Sequence, residues 1–372
     1  MKIGFTLMKH TFLYYFIALE GAFFFMKNYQ INNTKRINRL LNKVIENDLP
    51  EFCKIFFTSI VNTTQPSTQL RYAYDLKIFF RYIQLSNMKY ANKNVHDFPI
   101  ELLDEISAME IEEYLAYLIT YKNDKGKEMS NGNAGIKSKL IAVRVMYKYF
   151  FKHGLINKNV TDVIDIPKIK EKKIDRLTDA QVKAVLKNIE KGSYSNFSDV
   201  QKRWNKRFMS RDLAIISLLL GTGIRVSECA GIDIFDIDFK ECKIEIIRKG
   251  GRIDSVYFSD EVKAALLNYY HERMDIMAKP GFENAFFLSK NKTRISVTSI
   301  EYLTHKYTKD IKDVTPHKLR ATFGTNMYRA TRDIYLVANT LGHRNVNTTK
   351  QHYADLQEDV KKEVRNVIKL RK

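Results

Sequence analysis

The sequence predicts a mainly α protein in two parts: an all-helical first region, then a helical second region built around a small antiparallel sheet. Three observations predict it. Apolar residues recur with a 3.6-residue period through most of the 372 residues. One stretch alternates with a period of two instead, and a Lys249-Gly250-Gly251 turn splits it into a hairpin. Between the two regions lies a Pro- and Lys-rich segment, 165–176, with little periodicity of either kind. At this length, with 45% hydrophobic residues, two domains with real cores are the natural division.

Residues 1–34 stand apart as an N-terminal extension. Thr11 to Met26 is nearly all apolar and aromatic, but Glu20 and Gly21 interrupt it and it is too short for a membrane span. An additional helix and a targeting segment are two readings of it. An over-extended start, with Met26 as the initiator, ranks above both.

The first domain is expected over 35–164. Two helical patterns run from Lys35 to about Thr63, and Pro66-Ser67-Thr68 starts the next helix. Asn87 to Pro99 reads as a polar loop. Ser107 with Glu110 is a capping box that opens a helix to about Tyr121. Asn123 to Gly135 reads as a loop, and Ile136 to Lys152 as a helix that Gly154 ends. Basic residues Arg71, Lys77, Lys137 and Arg144 lie on these helices and are candidates for contact with a polyanion.

Residues 165–176 are the expected linker, and five of these twelve residues are Lys or Arg. The second domain is expected over 177–372. Thr178-Asp179 caps a helix to about Lys191, Gly192 to Arg207 reads as a polar insertion containing Trp204, and Arg211 to Leu220 as an apolar helix. The hairpin follows, with Ile244 and Ile246 on one strand and Ile253, Val256 and Phe258 on the other. Helices are then expected from Asp260 to Met277, from Thr298 to Lys309 and from Thr315 onward, with Gly342 ending the helix before it.

A formal net charge of +20 points to a polyanionic partner, nucleic acid before anionic membrane. Cys53, Cys229 and Cys242 show no zinc or redox spacing, which suits a reducing compartment such as the cytoplasm. There is no Walker loop and no clear metal-binding carboxylate motif, so neither a cofactor nor a metal is expected.

Six residues carry the chemistry. Thr222-Gly223-Ile224-Arg225-Val226-Ser227-Glu228 places Arg225 at a helix start; Lys249 occupies the hairpin turn. Thr315-Pro316-His317-Lys318-Leu319-Arg320 sets His317 and Arg320 three apart on one helical face. Leu341-Gly342-His343 and Gln351-His352-Tyr353 complete the set. Singly each is weak: Arg225 with Glu228 is also what a plain i,i+3 ion pair looks like.

The ordered set Arg, Lys, His, Arg, His, Tyr, in these contexts, resembles the catalytic set of the tyrosine recombinases. The resemblance runs from about Lys35 to Lys372 and is to the Xer type, most of all the XerS branch. It implies a helical core-binding domain, a linker, and an α+β catalytic domain. Ala321 and Asp355 stand where the Xer pattern commonly has His, and neither removes a catalytic group. In that chemistry Arg225 and Arg320 clamp the phosphoryl oxygens with planar, permanently charged forks. His343 is a third donor to the same phosphate. Tyr353 attacks and forms a 3′-phosphotyrosine, His317 is the candidate base, and Lys249 is the candidate acid for the leaving 5′-oxygen. The resemblance also implies that Glu228 supports the site. It further implies that a homotetramer on two duplex DNA sites exchanges strands through a Holliday junction, as in Xer chromosome dimer resolution. An integrase of a phage or mobile element shares this chemistry, and a type IB topoisomerase has related residues.

Overall fold

The computed structural model describes residues 29–169, 175–191, 199–248 and 251–342. The chain divides into two compact units, one of residues 30–172 and another to which the chain from 173 onward belongs. No helix of the described residues is long and apolar enough to cross a membrane.

The first unit is built on helices α1 (29–48), α2 (Cys53–Ile60), α3 (Pro66–Ser86), α4 (Leu102–Glu105), α5 (Ala108–Tyr117) and α6 (Asn133–Lys152). Pro66 occupies the first turn of α3, where a missing N–H leaves nothing unsatisfied. Helices α3 and α6 pack together around an aromatic core. In it Phe52 meets Phe80 and Phe150 edge-on, with ring centroids 5.9 and 5.4 Å apart. The Ser107 hydroxyl accepts from Glu110 N at 3.2 Å, and Glu110 Oε2 accepts from Ser107 N at 2.8 Å, so the capping box forms as the spacing predicts.

Helix α5 ends at Tyr117 rather than near Tyr121. Thr120–Lys122 (β1) pairs antiparallel with Glu128–Ser130 (β2). The turn between them is fixed locally. Asn123 Oδ1 accepts from Lys125 N and Lys127 N, both at 3.0 Å, and Gly126 takes φ +72°. Both strands are short and mostly exposed, so no apolar alternation advertises them.

The second unit centres on α8 (Asp199–Thr222), which packs against α7 (Asp179–Lys191), α10 (Asp260–Met274) and α12 (Pro316–Thr331). Thr178 and Gln181 exchange capping hydrogen bonds at the start of α7. Helix α8 begins well before the apolar run at Arg211, taking in residues 199–207 of the segment read as a polar insertion, whose earlier part lies outside the described residues. Its early turns hold together through neighbours on one face. Trp204 stacks on Phe208 with centroids 5.8 Å apart, and Arg211 lies 4.3 Å over the Phe208 ring. After α9 (Val226–Gly231) come strands β3 (Ile237–Asp238), β4 (Lys243–Ile247) and β5 (Ile253–Tyr257), an antiparallel sheet in the order β3-β4-β5. Helices α11 (Val297–Lys312), α12 and α13 (Ile334–Leu341) complete the described fold. Asp175, at the end of the expected linker, pairs with Lys312 at 2.8 Å and Lys318 at 3.2 Å, and these hydrogen bonds hold its carboxyl below the usual range.

The turn from α9 into β3 contains a buried acid pair. Asp236 Oδ2 accepts from Asp233 N at 2.8 Å, and Asp233 pairs with Arg294. Burial pushes the Asp236 carboxyl up to about 8, with the Asp233 charge adding to the rise and Arg294 opposing it. The unfolded carboxyl titrates near pH ~3.9. Between those two values the folded chain holds more protons than the unfolded one, so this contribution to stability falls as pH rises from about 4 to 8 and is level outside that window. Asp236→Asn keeps an oxygen acceptor and removes the titration. Its melting temperature is expected to depend less on pH than the wild type's between pH ~5 and ~8, with its relative gain largest at the upper end. Parallel melting curves for the two proteins across that range would contradict this.

Candidate functional site

Helix α8 ends at a left-handed glycine. Gly223 has φ +62°, and a Cβ there would lie 2.4 Å from Phe323 Cδ1. The chain turns, buries Ile224, and delivers Arg225 in extended conformation at the N-cap of α9. Glu228, three residues on, binds it twice. Its Oε2 accepts from Arg225 N at 2.7 Å and its Oε1 from Arg225 NH1 at 2.9 Å. The i,i+3 ion pair legible in the sequence is therefore present, and it also caps the helix.

Arg320 comes from the second turn of α12 and is 4% exposed. Its NH1 donates to Gly223 O at 2.6 Å and its NH2 donates to Leu341 O. One guanidinium thus ties the turn carrying Arg225 to the last turn of α13. Arg225 reaches the same place from the other side, with NH2 donating to Gly342 O at 3.2 Å. Arg248, at the end of β4, donates NH2 to Thr340 O at 2.8 Å.

The three successive carbonyls of Thr340, Leu341 and Gly342 each accept from a different arginine. A helix C-terminus leaves its last carbonyls without intrahelical partners and carries partial negative charge, so cations there are favoured. Gly342 closes α13 in the left-handed region at φ +63°, as a residue ending that helix is expected to. The cluster gathers three guanidiniums against two carboxylates, Glu228 and Asp254, leaving an excess of positive charge. The Arg225 side chain is 33% exposed, which leaves part of its fork open to a bound anion.

His317 lies in the first turn of α12, exposed, one turn ahead of Arg320. Thr315 is the N-cap of that helix without a side-chain capping bond, and Pro316 is its first residue. Lys249, His343 and Tyr353 lie outside the described residues. The described residues flanking Lys249 close the hairpin turn: Arg248 N donates to Arg252 O at 2.8 Å, and Gly251 N to Arg248 O at 3.0 Å.

Arg248 and Asp254 are site residues that sequence reasoning missed. The signal was the strand's own alternation. Ile244 and Ile246 face the core, so the next residue on that side is Arg248, a buried cation that requires partners.

The basic residues of the first unit differ in their surroundings. Lys77 is held between Asp48 at 3.0 Å and Asp124 at 2.8 Å, and Arg144 donates to Ile164 O. Arg71 is exposed, with its guanidinium 5.5 Å from the Tyr72 ring centroid, and Lys137 is half-buried. Among the described residues no group of three or more His, Cys, Asp or Glu is placed to hold a metal ion.

Residues 175–359 match the family model described as the Phage integrase family. Tyrosine recombinase XerS of Streptococcus mutans serotype c is 33% identical over 305 residues, covering 76% of this chain and 85% of that protein. Tyrosine recombinase XerC of Caldanaerobacter subterraneus subsp. tengcongensis is 31% identical over 316 residues, covering 81% of each. Among solved structures, XerH site-specific recombinase bound to its palindromic difH substrate aligns with a TM-score of 0.59 at 18% identity, over 88% of this chain and 94% of that one. The Tn1549 transposon integrase in complex with transposon right end DNA aligns at 0.58 and 20% identity, over 84% and 99%. At these identities the structural likeness concerns the fold.

Proposed function

The chain belongs to the phage integrase family, the tyrosine recombinases, and from that premise we propose a specific division of labour among its residues and a biological role. It is a site-specific recombinase, an enzyme that cuts and rejoins DNA. In the proposed reaction Tyr353 Oη attacks the scissile phosphorus. A bond forms from phosphorus to the tyrosine oxygen, and the bond from phosphorus to the 5′-oxygen breaks. The phenol proton passes to His317, and Lys249 protonates the departing 5′-oxygen. A free phenol titrates near pH ~10, so ionising it unaided at neutral pH costs roughly 4 kcal/mol. His317 and the nearby cations offset that cost. Arg225, Arg320 and His343 share the negative charge on the non-bridging oxygens, and Glu228 holds Arg225 in register. Attack by a 5′-hydroxyl of the partner strand on the phosphotyrosine reverses the step. The phosphodiester energy is retained in the covalent bond, so neither a nucleotide nor a metal enters the balance.

The single observation carrying this reading is the convergence of Arg225 and Arg320 on the carbonyls of Gly342 and Leu341. These are the two residues immediately before His343 in the chain, so both arginines are anchored on the backbone that leads into it. Relatives named XerS and XerC support the Xer type, and the role proposed with it is resolution of chromosome dimers by a homotetramer on two duplex sites. An integrase of a mobile element is the second reading, and the DNA flanking the gene separates the two. Arg71 and Lys137 are the proposed backbone contacts of the helical unit. Lys77 and Arg144 then serve mainly to shape its surface, given their intramolecular partners.

The acid assignment has a direct test. Lys249→Ala is expected to slow cleavage by about 10²-fold or more. A substrate with sulfur in place of the bridging 5′-oxygen has a leaving group that needs no proton, and it should restore most of the rate. Equal losses on both substrates would remove Lys249 from the acid role.

A further inference from the structure

Arg248 is 5% exposed, and its partners come from three separate elements. Nε donates to Asp254 Oδ2 of β5 at 2.9 Å, NH1 to Glu228 Oε2 of α9 at 3.0 Å, and NH2 to Thr340 O of α13 at 2.8 Å. The end of α13 is shaped around it. A Cβ on Gly342 would lie 2.9 Å from Arg248 Nε and 3.1 Å from its Cζ. Glu228 divides its oxygens between two arginines. Oε1 takes Arg225 NH1, while Oε2 takes both Arg225 N and Arg248 NH1. Buried as it is, Arg248 is not placed to touch DNA itself.

We propose that Arg248 is a positioning residue for cleavage: it fixes the Glu228 carboxylate and the end of α13, and through them aims Arg225 at the scissile phosphate. This rests on the reading of Arg225 as a phosphate donor. Without Arg248, Glu228 is left with Arg225 as its one cation among the described residues. Its negative charge then draws that guanidinium inward and offsets the positive charge presented to the phosphate. The carbonyl of Thr340 also loses its donor, and the turn before His343 loses its tie to the sheet.

The experiment compares two nicked substrates that trap the cleaved product. One carries the ordinary scissile phosphate, and the other a methylphosphonate, in which a methyl group replaces one charged oxygen. Arg248→Met and Arg248→Lys are measured beside Arg225→Ala; lysine keeps the charge but cannot reach three partners at once. Each Arg248 variant is expected to bind DNA within about 3-fold of wild type and to cut the phosphate substrate at least ~10-fold more slowly. On the uncharged substrate each should return to within about 3-fold of wild type, in parallel with Arg225→Ala. A role in packing alone would not produce that recovery, because the substrate's charge does not affect the protein's core.

Wild-type cleavage of the phosphate substrate by both Arg248 variants would overturn the proposal. So would equal losses on the two substrates. Failure of both variants to fold, by circular dichroism and thermal melting, would make Arg248 a core residue only and overturn it as well. Recovery of Arg225→Ala without recovery of the Arg248 variants strikes this inference alone. If Arg225→Ala itself fails to recover, the phosphate-donor reading beneath it falls.

Discussion

Tyr353→Phe is expected to abolish covalent attachment to DNA while leaving binding within a few-fold of wild type. The substitution removes one oxygen, the atom that forms the bond to phosphorus, and keeps the ring. The phosphate donors Arg225 and Arg320 are held by Glu228 and by backbone carbonyls of Gly223, Leu341 and Gly342. Binding and positioning therefore survive the loss of the nucleophile. A suicide substrate, nicked so that a short fragment diffuses away after cleavage, traps the wild type as a slower band on a denaturing gel. Such a band with the Phe variant would refute the assignment.

Arg225→Ala and Arg320→Ala are each expected to slow single-turnover cleavage by about 10²-fold or more, equivalent to ~2.7–4 kcal/mol for a lost preorganised donor. The two should differ in stability. Arg225 is partly exposed, and its removal leaves Glu228 still paired with Arg248, so its melting temperature should move little. Arg320 is buried, and its removal strips a donor from both Gly223 O and Leu341 O. Unsatisfied buried carbonyls cost about 1–3 kcal/mol each, so Arg320→Ala should melt lower as well as cleave slowly. Cleavage within a few-fold of wild type by either variant would remove that arginine from the phosphate clamp.

Much of this architecture was legible because local signals and tertiary packing agree. Pro66, the Ser107–Glu110 box, Gly251 and Gly342 each mark an element boundary by their own backbone chemistry, and most of the helices and both hairpin strands overlap the apolar periods that predict them. The misses share a cause. The β1–β2 hairpin and the early turns of α8 carry little buried apolar surface, and are held instead by an Asn turn and by ring and cation stacking that no period records. The candidate site was legible as a list of residues but not as a connected object. Arg225, Glu228 and Arg320 could be named from their motifs. Their common attachment to the last carbonyls of α13 depends on a chain reversal at Gly223 and on how α12 and α13 pack, neither of which a one-dimensional pattern contains. Arg248 shows the limit most clearly. Its burial could be read from strand alternation, but its three partners lie 6, 20 and 92 residues away along the chain.

The central claim is that this chain cuts DNA by joining it to Tyr353, and mass spectrometry of the trapped complex tests it directly. After nuclease and trypsin digestion, the nucleotide remnant is expected on the peptide Gln351–Lys361, in which Tyr353 is the single tyrosine and no serine is present. A remnant on any other peptide, or a cleaved substrate with no protein attached, would contradict the account.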